Sequence, residues 1–106
     1  MSSTDSAIID LKHRLETLLG DRLERIVLFG SRARGDWDAD SDTDIAIIVH
    51  DLDHDLKMRV LDEVASVELD HLAPLSTLVL STERFRWLLG RERRIALDIE
   101  REGIPL

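Results

Sequence analysis

Gly30 and Ser31 close an apolar run, Arg25–Phe29, and Asp42 and Asp44 stand at the start of another, Asp44–His50. Ten residues separate Ser31 from Asp42. Each residue type has a chemical use at this spacing. Glycine at position 30 lets backbone approach a ligand closely, because it has no Cβ. Ser31 offers a hydroxyl and an N–H to a phosphate oxygen, and a short helix beginning there would add free N–H donors. Asp42 and Asp44, two apart on an extended chain, point their carboxylates to one side. Two carboxylates on one side make a hard-oxygen site suited to Mg²⁺. Such an ion bridges the phosphates of a nucleotide and offsets charge in the transition state. For Ser31 to meet Asp42, the end of one strand must lie beside the start of the next, which predicts an antiparallel pair.

Gly-Ser followed by aspartates is common in ordinary turns; the full order of strand, Gly-Ser, ten residues, Asp-x-Asp and apolar strand is rarer. The alternating Asp36, Asp38, Asp40, Asp42 and Asp44 also invite comparison with a calcium loop. That loop needs glycine sixth and glutamate twelfth. Starting from Asp36 these positions hold Ser41 and Ile47, and starting from Asp38 or Asp40 fares no better. A phosphate loop of the Gly-Lys-Ser/Thr type is absent.

The elements that must position these residues follow from periodicity. Ile8, Leu11, Leu15 and Leu18 recur at helical spacing, with Ile9 and Leu19 widening the stripe, so residues 4–19 are expected to be helical, started by Thr4, Asp5 or Ser6 and ended by a left-handed Gly20. Residues 25–29 read as a strand and 30–42 as a loop. Residues 44–50 are apolar on both parities, as in a strand buried on both faces. Residues 55–71 return to helical period, Pro74 interrupts, and 75–80 form a third strand. Ser81 or Thr82 caps a last helix that runs past a possible kink at Gly90. The order α-β-β-α-β-α predicts an α/β fold: a small two-layer sandwich with a mixed sheet of three or more strands and helices packed on it.

At 106 residues, 43% apolar, the chain suits a single domain, residues 1–106. With no cysteine, it has no disulfide scaffold and no thiolate metal site. Its longest apolar run, Ile45–Val49, is far short of the roughly 20 residues that cross a bilayer. No signal-peptide pattern opens the sequence, and the expected location is cytoplasmic. The 22 acidic residues against 14 basic ones, net −8, disfavour direct nucleic-acid binding and suit metal cations or a basic partner.

Gly30-Ser31, ten residues, then Asp42-x-Asp44, inside FGSRARG and SDTDIAIIV, resembles the signature of the minimal nucleotidyltransferases of the DNA polymerase beta type. The ending Ile99–Ile104 is similar to that family's usual C-terminus. The resemblance implies the nucleotidyltransferase fold, with a nucleoside triphosphate, usually ATP, as co-substrate and Mg²⁺ as cofactor. Gly30 and Ser31 would hold the triphosphate, and Asp42 and Asp44 the metals and the catalysis. It implies transfer of a nucleoside monophosphate to a hydroxyl with release of pyrophosphate. It further implies a partner, a small helical HEPN-family ribonuclease toxin. The chain would be its antitoxin, acting by adenylylation or by binding, in a hetero- or homo-oligomer. Active members carry a third acid on the third strand; Ser76 or Thr77 stands there in this sequence. A hydroxyl is a poor metal ligand and a poor base at neutral pH, so the alternative is a weak or inactive transferase that works through protein contact alone. Glu68 and Asp70 are the nearest acids upstream and the possible substitutes.

Arg32 and Arg34 can reach phosphate oxygens or pair with the local aspartates. Trp37 is either an exposed anchor or a lid over the core, while Phe85 and Trp87 are expected in the core. His13, His50, His54 and His71 show no metal-ligand spacing, and Arg91–Arg94 reads as a solvated helix face.

Overall fold

A computed structural model describes residues 3–30, 33 and 43–106. Ser31, Arg32, Arg34, Trp37 and Asp42 lie outside the described residues. Helix α1 (Ser3–Leu19) buries Ala7, Leu11, Leu15 and Leu19, a single i,i+4 ridge. This ridge is rotated from the expected stripe: Ile8 and Leu18 flank it, and Ile9 faces outward. The small Ala7 side chain lets the first turns sit close to their neighbours. Gly20 takes a left-handed φ of +54° and opens a 3₁₀ turn (Gly20–Arg22) that delivers the chain into β1 (Leu23–Phe29).

Strand β2 (Asp44–Val49) is buried from Ile45 onward. It pairs antiparallel with β1, with Phe29 opposite Asp44 and Val27 opposite Ala46, as the site argument required. Helix α2 (His54–His71) starts where the Asp53 carboxylate accepts a 2.7 Å hydrogen bond from the Leu56 N–H. It returns the chain to β3 (Ser76–Ser81), which runs parallel to β2. The entry to β3 is fixed twice: the Leu75 N–H donates to Glu68 Oε2 at 3.0 Å, and the Ser76 N–H donates to the Thr43 carbonyl at 2.9 Å.

Ser81 caps helix α3 (Thr82–Gly90), its hydroxyl accepting from the Arg84 N–H at 3.0 Å. The expected kink at Gly90 is a full break. Glu92 adopts a φ of +52°, and a separate helix, α4 (Arg94–Glu102), follows. A two-residue strand, β4 (Ile104–Pro105), then pairs antiparallel with β1. The sheet order is β3-β2-β1-β4.

Alternation along the strands sorts side chains into two cores. Ile26, Ile45, Ile47, Val49 and Val79 pack with α1 and α2. Val27, Phe29, Ala46 and Ile48 pack with Phe85 of α3 and Ala96 and Ile99 of α4. The α/β class and mixed sheet are as expected, but the layering is three rather than two, because both faces carry helices. A strand apolar on both parities needs cover on both sides. Each of the fully buried isoleucines of β2 contributes about 1.5–3 kcal/mol relative to exposure, so β2 is firmly held and fixes the residue at its start.

Candidate functional site

Asp44 is the first residue of β2, between Phe29 of β1 and Ser76 of β3. It shares parity with Ala46 and Ile48, so it belongs to the face covered by α3 and α4. Beyond Phe29 the chain turns at Gly30, whose φ is +74°. A Cβ built on Gly30 would collide with the Asp44 carboxylate. The glycine therefore has two reasons to be there: a left-handed backbone, and space that the carboxylate occupies.

An open cleft of about 750 Å³ runs from this corner across the sheet to the last two helices. That is within the roughly 300–1,000 Å³ usual for small-molecule sites. Gly30, Asp44, Ser76 and Thr77 form its polar end. Leu78, Leu80, Leu88 and Ile95 supply an apolar stretch, and Arg84, Arg94 and Asp98 bring charge from α3 and α4. One end thus offers carboxylate oxygen for a hard cation, the other guanidinium groups for an anion.

Of the residues singled out by sequence, the fold brings Gly30 and Asp44 together. Ser76 is the register partner of Asp44 and shares its parity. The position beside the carboxylate on the neighbouring strand is thus held by a hydroxyl. Glu68 and Asp70 do not replace it. Glu68 accepts from the Leu75 N–H, and Asp70 bonds Arg14 at 2.6 Å on the outer helices. Asp10 also bonds Arg14, at 3.0 Å, and lies 2.9 Å from His71 Nε2. The Arg14 hydrogen bond first, then that from His71, holds the Asp10 carboxyl below the usual carboxylate range. His50 sits against Thr82, 3.1 Å away, at the far end of β2. Among the described residues no three His, Cys, Asp or Glu side chains are grouped to hold a metal. Since Asp42 lies outside them, the fit of a divalent ion rests on the Asp44 carboxylate and the space that Gly30 leaves beside it.

Phe85 is in the core as expected, but Trp87 is not. It is 42% exposed, with the Arg84 guanidinium 4.5 Å and the Arg91 guanidinium 4.9 Å from its ring centroid. Sequence reading missed Arg84 and Asp98 and assigned Arg94 to a solvated face. All three line the cleft. For Arg84 a signal was available in its spacing of three residues from Trp87 on one helix. Among the described residues no helix is long and apolar enough to cross a membrane.

A family model described as polymerase beta nucleotidyltransferase matches residues 10–88. Two candidate protein adenylyltransferases of Methanocaldococcus jannaschii are similar in sequence. One is 47% identical over 45 residues, covering 42% of this chain and 46% of the relative. The other is 36% identical over 81 residues, covering 76% and 77%. The chain thus spans less than half of the first relative. A crystal structure of a candidate nucleotidyltransferase from Sulfolobus solfataricus shares the fold, with a TM-score of 0.50 and 21% identity over 99% of this chain and 86% of that one. A crystal structure of a toxin–antitoxin with AMP-PNP matches 94% of this chain and 69% of that one, with a TM-score of 0.57 and 25% identity. The toxin–antitoxin MntA–HpeT, in mutant form, shares the fold at a TM-score of 0.52 and 22% identity, covering 99% and 72%.

Proposed function

The chain belongs to the polymerase beta nucleotidyltransferase family, and we propose that it binds ATP with Mg²⁺ and transfers AMP to a hydroxyl of a partner protein, as the antitoxin of a helical, HEPN-type toxin. The carrying observation is the corner where the Asp44 carboxylate fills the space left by Gly30, at the head of a nucleotide-sized cleft. Asp44, together with Asp42, would hold the ion. When bound, Mg²⁺ offsets the charge of the transferring phosphoryl group. Gly30 and Ser31 would hold the phosphates, with Arg32 and Arg34 in reach of their oxygens. The acceptor oxygen forms a bond to the α-phosphorus, the α–β anhydride bond breaks, and pyrophosphate leaves. A protein acceptor is favoured by the names of the archaeal relatives, and a toxin by the toxin–antitoxin structures.

Ser76 favours a second reading. A serine hydroxyl cannot take the acceptor's proton at neutral pH, so the proton must leave to solvent and turnover is slow. The protein then neutralises its partner by contact, with nucleotide bound. One experiment separates the readings. The chain and its neighbouring-gene product are incubated with α-phosphate-labelled ATP and Mg²⁺. Label on the partner that vanishes in Asp44→Asn supports transfer. Neutralisation that leaves no label on the partner supports contact. Failure of the unaltered chain to bind ATP in Mg²⁺ rejects both.

A further inference from the structure

Several hydroxyls elsewhere in the fold are already engaged. Ser66 accepts from Arg14 Nη1 at 2.9 Å, and Ser81 accepts from the Arg84 N–H at 3.0 Å. Thr17 donates to the His13 carbonyl, and Thr82 donates to Glu24 Oε2. Ser76 differs. It is exposed, and its hydroxyl meets no hydrogen-bond partner among the described residues. It stands in register with Asp44 on the adjoining strand, with the same parity, and both line the cleft. Adjoining strands lie about 4.7–4.9 Å apart, so this hydroxyl and the Asp44 carboxylate flank a single ligand. The backbone beneath it is fixed by the bond from the Ser76 N–H to the Thr43 carbonyl. Thr77 also lines the cleft, but it has the parity of Val79, whose side chain packs on the α1–α2 side.

Resting on the nucleotide reading above, we infer that Ser76 is a self-adenylylation site: the chain transfers AMP to its own hydroxyl when no partner is engaged. A bond forms between Ser76 Oγ and the α-phosphorus, the α–β anhydride bond breaks, and pyrophosphate leaves. The hydroxyl proton passes to solvent, and ATP is the sole co-reactant. Two magnitudes decide whether this step can run. Lack of a positioned base costs about 10²–10⁴ in rate. A well-oriented nucleophile on the same molecule has an effective concentration of about 10⁵–10⁸ M, which outweighs that loss and favours Ser76 over water. A partner's hydroxyl, brought only by docking, must compete with it. The product is a phosphodiester on β3 beside Asp44, at the polar end of the cleft. Its adenylyl group occupies the space that a second ATP would need, so each chain turns over once and its site then closes.

The test incubates the purified full chain, without a partner, in ATP and Mg²⁺ and reads its intact mass, with fragment spectra to place the adduct. The chain should gain the mass of one AMP, once, on Ser76. The reaction should be first order, with a rate constant that does not change with protein concentration, because donor and acceptor share one cleft. Ser76→Ala should abolish the adduct. The modified chain, freed of nucleotide, should bind ATP about tenfold or more weakly than the unmodified chain in calorimetric titration. The inference is overturned by an adduct on any other residue, by a rate constant that rises with protein concentration, or by an adduct that persists in Ser76→Ala. It is also overturned by a modified chain that binds ATP as the unmodified one does, or by a parent that binds ATP in Mg²⁺ and stays unmodified. Those outcomes leave transfer to a partner standing. Absence of ATP binding by the unaltered protein overturns both.

Discussion

Replacing Gly30 by alanine separates the stability of this fold from the use of its site. The residue has a φ of +74°, and an L side chain in that region costs about 1–2 kcal/mol. A small domain is stable by about 5–15 kcal/mol, so the variant folds. Its melting temperature should fall by about 5–15 °C, since roughly 1 kcal/mol moves a domain of this size by 4–8 °C. The second effect is local. The new Cβ would occupy the place of the Asp44 carboxylate, which must swing away from the corner. Displacing a metal ligand in this way should weaken Mg²⁺-dependent ATP binding by about 10- to 100-fold. Gly20→Ala is the matched control. Its φ is +54°, but a Cβ there meets nothing within 4 Å. The two variants should lose similar stability in thermal denaturation, and only Gly30→Ala should lose nucleotide in a titration with Mg–ATP. Equal ATP affinity in the two variants would refute the reasoning, because the Gly30 corner would then be a turn and nothing more.

Two further outcomes follow from the same geometry. Ser76→Asp places a carboxylate beside Asp44 in register; it should raise Mg²⁺-dependent AMP transfer by about a hundredfold or more, the scale of a positioned general base, and Mg²⁺ should raise its melting temperature more than that of the parent, whereas an unchanged rate and no added response to Mg²⁺ would count against Ser76 as the site of a missing acid. The depressed Asp10 carboxyl, held by Arg14 and then His71, contributes stability above its ordinary value of 3.8 that is lost as pH falls through its lower folded value; Asp10→Asn should therefore lower stability by about 1 kcal/mol or less at neutral pH and flatten the fall below about pH 4 in urea unfolding, and an unaltered acid limb would assign that loss to other groups.

The parts of the molecule that sequence made legible are those written in short-range pattern. β2 is apolar on both parities, and the fold covers both of its faces. The antiparallel β1–β2 pair, which brings Gly30 to Asp44, was legible because the end of one strand must lie beside the start of the next for Ser31 to meet Asp42. The stripe of α1 was read one step off because Ile8 and Ile9 outweigh Ala7 in hydrophobicity, while packing selects the residue small enough to sit closest. The break between α3 and α4 carries no proline and depends on Glu92 adopting a left-handed backbone, a tertiary choice that overrides propensity. β4 has two residues, one a proline, and exists only because β1 offers an open edge. Arg84, Arg94 and Asp98 were missed for a related reason. Nothing in residues 82–98 is spaced against residues 30–44, and only the helix pair folded over the sheet brings the two segments to one cleft.

The two ends of that cleft are held by different means, and this bears on what the protein can do. Asp44 is fixed by a strand whose next five residues are buried, and it lies against a glycine in a left-handed conformation. Backbone in that region is sustained where the surroundings require it, and here the requirement is room for a carboxylate. The neighbouring position, Ser76, is exposed and in register with Asp44. On the proposed reading, the corner keeps the costly feature that would serve cation binding and carries a hydroxyl, not a carboxylate, at the neighbouring position Ser76. If the proposed function holds, the nucleotide affinity of the unaltered protein should exceed what its rate of transfer alone would suggest.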